Sequence, residues 1–172
     1  MKFLIFLSAI AFAGSLTPTS FRVEGYKEMT KTTNRVVTAT ATVAEGFDQL
    51  STKTLYFADI ELKSPTAHFK LSAETSLFKE NEIVATGAVS LTIYDLKKKA
   101  VRLSITPRPP EKVLRIDLEN YKITSPSASI ELNKKNYTGR AIEVDILKGE
   151  LIWVQSVTQD TAKLKTPLTQ KF

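Results

Sequence analysis

His68 is the only histidine in the chain, between Ala67 and Phe69 in a segment whose alternation puts it on the opposite face from both. With no cysteine present, a metal site would have to be built from one histidine and scattered carboxylates, which is a poor donor set. The carboxylates do not suggest a glycosidase pair. Asp117, Glu119, Glu143 and Asp145 alternate with apolar residues, as solvent-side residues of a strand do. Gly-x-Ser-x-Gly, phosphate-loop and dinucleotide fingerprints are absent. We therefore expect no catalysis, no cofactor and no metal. Asn136-Tyr137-Thr138 matches a glycosylation sequon, which would carry little meaning if the source is bacterial.

Charge points to binding. Lys and Arg number 24 against 18 Asp and Glu, a formal charge of +6. The basic residues form no platform interleaved with aromatics, so a nucleic-acid partner is not expected. Lys97-Lys98-Lys99 and Lys134-Lys135 fall at turns. They read either as solvated turn residues or as a field that attracts anionic headgroups, such as the phosphates of a glycolipid.

These side chains are carried by strands. In Ile83 to Tyr94, the odd positions Ile83, Ala85, Val89, Leu91 and Ile93 share one face, and Thr86, Ser90 and Thr92 share the other. The same period of two runs through Val37 to Val43, Val101/Leu103/Ile105, Leu114/Ile116/Leu118 and Ile142/Val144/Ile146. Most of the 21 threonines sit on the polar side, where a β-branched side chain suits the pleat. No convincing amphipathic helix is legible. Turns are predicted at Glu45-Gly46, Ser64-Pro65, Lys79 to Asn81, Asp95 to Lys99, Pro107 to Pro110, Asn133 to Asn136 and Lys148 to Glu150. Their spacing predicts an all-β sandwich, barrel or rolled sheet.

Length and composition bound the organisation. The chain has 172 residues, 42% of them hydrophobic, which makes one domain, or one domain with a processed leader. A chain of this size buries roughly two thirds of its unfolded surface and needs no disulfide to fold. Met1-Lys2 precedes an apolar run from Phe3 to Ala13 that ends in small residues at Ala11 and Ala13. This reads as a signal peptide over residues 1–13, cleaved after Ala13 or Ser15. The alternatives are an uncleaved anchor or a buried first strand. The expected location is the periplasm. Residues 14–34 are expected to form an N-terminal extension or first strand, and 158–172 a C-terminal tail.

An internal repeat is the most informative feature. Leu62-Lys63-Ser64-Pro65-Thr66-Ala67-His68-Phe69-Lys70-Leu71 aligns without gaps on Ile123-Thr124-Ser125-Pro126-Ser127-Ala128-Ser129-Ile130-Glu131-Leu132. Gly87 to Leu91 then follows the first copy as Gly149 to Trp153 follows the second. Proline cannot donate to a ladder, so each Ser-Pro is predicted to mark a corner or bulge, followed by a strand with Ala67, Phe69 and Leu71, or Ala128, Ile130 and Leu132, pointing inward.

On these residues the chain resembles the OstA-like lipopolysaccharide-export family. The resemblance is carried by Ala58-Asp59, Ser64 to Leu71, Ile83 to Ile93, Ile123 to Leu132 and Gly149 to Trp153, and it covers about residues 35–157. Two departures stand out: the Ser-Pro corner is not a strong family pattern, and Glu150-Leu151 replaces the Ala88-Val89 pair of the first copy. The resemblance implies a rolled antiparallel β-jellyroll, an open V-shaped sheet whose apolar interior carries acyl chains between two membranes. A cleavable leader favours the soluble bridge of such a system over its anchored subunit.

A V-shaped sheet converges apolar side chains on one groove, and each buried methylene of a guest chain contributes about 0.8 kcal/mol. The residues expected to line it are Val37, Ala39, Ala41, Phe69, Leu71, Ile83, Ala85, Val89, Leu91, Ile93, Leu103, Ile116, Ile130, Leu132, Val144, Ile146 and Trp153. Expected partners are lipopolysaccharide or a related anionic glycolipid, inner- and outer-membrane export components joined by edge-strand addition, and a second copy head to tail. Val36 to Val43 and Leu151 to Val157 are uncharged enough to be open edges, or else they are interior. Trp153, Phe57, Phe69 and Phe78 could face ligand or fill the core. The rival function is a structural or adhesive β-sandwich with a filled core. A lipid chaperone with a half-barrel and covering helix is a third.

Overall fold

A computed structural model describes residues 20–47, 52–79, 81–97, 100–155 and 168–172. The leader expected over residues 1–13 lies outside them. Among the described residues eleven strands follow one another: β1 (Ser20–Lys31), β2 (Val36–Phe47), β3 (Lys53–Lys63), β4 (His68–Phe78), β5 (Glu82–Tyr94), β6 (Val101–Pro107), β7 (Val113–Asp117), β8 (Lys122–Leu132), β9 (Lys135–Asp145), β10 (Glu150–Gln155) and β11 (Leu168–Lys171). They form one antiparallel sheet in chain order, β1-β2-β3-β4-β5-β6-β8-β9-β10-β11, with β7 paired to β5 and β8.

Pairing therefore closes on itself through four strands, β5, β6, β8 and β7. The registers show how. β5 takes β7 along residues 82–86 and β6 along 91–94, while β8 takes β7 along 122–124 and β6 along 128–132. The two short strands occupy successive parts of the slot between β5 and β8, separated by the proline-rich segment after Pro107.

Turn chemistry explains most of the reversals. Ser64 Oγ accepts the N–H of Ala67 at 2.9 Å and of Thr66 at 3.2 Å, closing the β3–β4 turn. Asp117 does the same for Glu119 and Asn120 after β7. Asn133 and Lys134 both have positive φ (52° and 64°) and make the two-residue link between β8 and β9, whose twist suits a tight hairpin.

A line of irregular positions crosses the sheet from β1 to β10. The β1–β2 register skips Gly25 and Thr42, β2–β3 skips Thr42 and Phe57, β3–β4 skips Phe57 and Glu74, and β4–β5 shifts beside Gly87. Beyond the β6–β7 break, β8–β9 skips Pro126 and Ala141, and β9–β10 shifts at Trp153. Gly25, Phe57, Gly87 and Ala141 on this line all have positive φ. Bulges bend a strand and re-aim its side chains. Accordingly the buried set changes phase along β2 (Val37, Ala39, Ala41, then Ala44), β3 (Leu55, then Ala58) and β4 (Ala73, then Ser76). This crease folds the sheet back so that its apolar face meets itself.

Several expectations need correction. Glu45-Gly46 lies inside β2, and turns at Thr32 to Arg35 and Leu118 to Tyr121 carry no Pro or Gly signal and escaped the sequence reading. Both Ser-Pro pairs do mark irregular backbone as expected: Ser64-Pro65 is a turn, and Pro126 is a skipped position within β8, opposite the β6–β7 break, where no ladder needs the missing N–H. Gly87 is mid-strand whereas Gly149 is in a turn, so the second matched segment diverges in structure. The inward triads Ala67/Phe69/Leu71 and Ala128/Ile130/Leu132 are all buried. Residues 168–171, within the expected tail, pair with β10. β2 and β10 are interior strands, flanked by β1 and β3 and by β9 and β11, so neither is an open edge.

Candidate functional site

Every residue expected to line the groove belongs to one buried core, from Phe69, Ile83, Ala85, Leu91, Leu103, Ile116 and Val144 at 0% exposure to Ile146 at 9%. Val37, Ala39, Ala41, Leu71, Val89, Ile93, Ile130, Leu132 and Trp153 lie between those limits. A gap wide enough for an acyl chain would admit water and leave its lining exposed. The interior is instead filled by its own side chains, and the open V expected from the sequence is closed in this state. Alternation gave the correct face, but it contains nothing about the distance between two such faces.

Of the aromatics, Phe69 and Trp153 are core and Phe78 is half-buried beneath the Lys53 ammonium. Phe57 is 66% exposed, because the crease turns it outward at φ 50°. Among the described residues, two buried polar atoms have no hydrogen-bond partner, Ser76 Oγ and Trp153 Nε1.

Polar chemistry gathers on the outer face. The β3–β4 turn sets Glu61 opposite Lys70 and Lys63 opposite His68. Glu61 receives Lys63 Nζ at 2.9 Å, lies 2.9 Å from His68 Nε2, and is 3.6 Å from Lys70 Nζ. His68 stacks on Tyr94 of β5 with ring centres 4.6 Å apart. Burial pushes the Glu61 carboxyl up, but hydrogen bonds from Lys63 and His68 and the nearby ammonium charges outweigh it and hold it below its usual range. Ser64 lines the same shallow cavity. Its Oγ donates to Ala67 O and accepts two turn N–H groups, so serine, histidine and glutamate share a cavity with no nucleophile–base contact. This cluster was findable in the sequence, since a tight turn between Lys63 and His68 sets the register across it.

Among the described residues no group of three or more His, Asp or Glu side chains could hold a metal. A second surface cavity, of about 570 Å³, lies at the β6–β7 break and is lined by Arg108, Pro126 and Arg140 among others. Compared with models of known protein families and with curated protein sequences, the chain matches none.

Proposed function

We propose that this protein is a non-enzymatic, periplasmic β-jellyroll of the OstA-like kind, which shelters the acyl chains of lipopolysaccharide or a related anionic glycolipid and relays them toward the outer membrane. One observation carries this reading. The sheet runs in chain order from edge to edge with a continuous apolar face, as a through-going path for acyl chains requires. The formal charge of +6 suits an acidic amphiphile.

In this reading the filled core is the unloaded state, and guest chains enter by parting the two halves of the folded sheet. Partners add at the edges left unpaired among the described residues, chiefly the 12-residue β1 and to a lesser extent the four-residue β11. Those partners are export components of either membrane, or a second copy head to tail.

The filled interior equally favours a second reading, a structural or adhesive module. Photo-crosslinking decides between them. A probe at Leu91 or Ile130 should capture glycolipid in cells, and the same probe at Thr92 or Glu131, on the outer face, should not. No capture at the inner positions, or equal capture at both, selects the structural module.

A further inference from the structure

The chain has six arginines, and four are engaged: Arg22 with Glu45, Arg35 with Leu118 O, Arg102 with Asp95 and Arg115 with Glu82. The remaining two, Arg108 and Arg140, make no ion pair or side-chain hydrogen bond among the described residues, and both line the cavity at the β6–β7 break. Their convergence is built into the backbone. Arg108 N–H donates to Ser127 O at 2.9 Å, and Ser127 is the register partner of Arg140. Both guanidinium stems therefore rise beside one residue of β8. The hydroxyl-bearing Ser127 and Thr138 complete that side of the cavity.

We propose that this cavity is a phosphate-binding site. Two guanidinium forks and two hydroxyls offer more donors than the two oxygens of a carboxylate can take, and they suit the several oxygens of a phosphate group. Pro109, Pro110 and Pro126 stiffen the walls, so little ordering is required on binding. Glu111 also lines the cavity, and with it the formal charge there is still net positive. The proposal rests on the glycolipid reading only for the source of the phosphate, a lipid headgroup.

Titration with inorganic pyrophosphate at constant ionic strength, followed by calorimetry or amide chemical shifts, tests the site. The wild type and a K134Q/K135Q control, which loses the same charge in the β8–β9 hairpin, should bind alike. R108Q/R140Q should bind at least about tenfold more weakly. Thr138→Val, which keeps all charges, should weaken binding to a smaller extent and substitutes for the double variant if that does not fold. No binding by the wild type, or equal binding by all variants, overturns the site. A second arm uses phosphatidylcholine vesicles with and without phosphatidylglycerol. Loss of phosphatidylglycerol-dependent binding in R108Q/R140Q supports a headgroup as the source. Pyrophosphate binding without vesicle binding supports the anion site and overturns its lipid source. Crosslinking at Leu91 reports on the interior independently of both arms.

Discussion

Arg35, in the turn between β1 and β2, donates to the main-chain oxygen of Leu118, at the end of β7 and several sheet positions away. Its second guanidinium nitrogen reaches Asn81 Oδ1 at 3.3 Å, and Asn81 O in turn accepts the Leu118 N–H at 2.8 Å. The contact joins the start of β2 to the start of β5 and the end of β7, which only a folded sheet permits. Arg102 of β6 over the ring of Phe172, just beyond β11, is a second contact of this kind. Arg35→Ala leaves a half-buried carbonyl without its donor and should lower unfolding stability by about 1–2 kcal/mol. Arg22→Ala, which breaks an exposed pair within the β1–β2 hairpin, should change it by less than about 0.5 kcal/mol. Urea unfolding of both variants checks the contrast; equal effects would remove Arg35 as a latch.

The crease makes a glycine obligatory at one position. Gly87 has φ +85°, and a Cβ there would run into the Glu74 side chain, whose carboxylate also takes the Ala88 N–H. Gly87→Ala should destabilise by about 2–3 kcal/mol from backbone strain plus the clash. Gly25 shares the positive φ but has open space around its Cα, so Gly25→Ala should cost only about 1 kcal/mol. Thermal unfolding of the pair separates the two contributions.

Strand identity and face were legible because period-two alternation survives in each half-strand, as in Leu114/Ile116 and Ile142/Val144. The crease was not. Its members, Gly25, Thr42, Phe57, Glu74, Gly87, Pro126, Ala141 and Trp153, share no residue type, and they align only through registers that the tertiary fold sets. The same limit applies to Pro126: its Ser-Pro signal marked an irregular position, but its place inside a strand depends on a gap between two other strands. It explains the unforeseen meeting of Arg108 with Arg140 as well. The tight approach at Gly139, where a Cβ would lie 2.6 Å from the Trp153 ring, is a further case.

Acid should destabilise the fold through particular carboxylates. The Lys148 N–H, opposed by burial and helped by the Lys148 charge, holds Asp145 below its ordinary value of 3.8. Asn120 does so for Asp117, and Lys79 for Glu82. Because the folded state resists protonation more than the unfolded chain does, this stability is fully present above the ordinary carboxylate values. It is lost as pH falls through the lower folded values. The urea midpoint should therefore be flat above about pH 5 and decline below about pH 4. Asp145→Asn should lower stability at neutral pH and flatten that decline. An unchanged acid limb would show that Asp145 does not contribute to it.

Phase reversal along β4 puts the hydroxyl of Ser76 into the core at 0% exposure, opposite Ala85 and without a hydrogen-bond partner. Burying such a group unpaired costs about 1–3 kcal/mol, and removing it leaves only a small space behind. Ser76→Ala should therefore raise stability by about 0.5–1 kcal/mol, the opposite sign from most core changes. If the interior opens to take acyl chains, the same substitution should also slow or weaken uptake, because it stabilises the closed form relative to the loaded one. Emission from Trp153, the only tryptophan and buried at 3% exposure, follows that opening directly. Adding glycolipid should alter the emission less in Ser76→Ala than in the wild type at equal lipid. An identical response, with the stability gain in place, would mean that lipid does not act through the core.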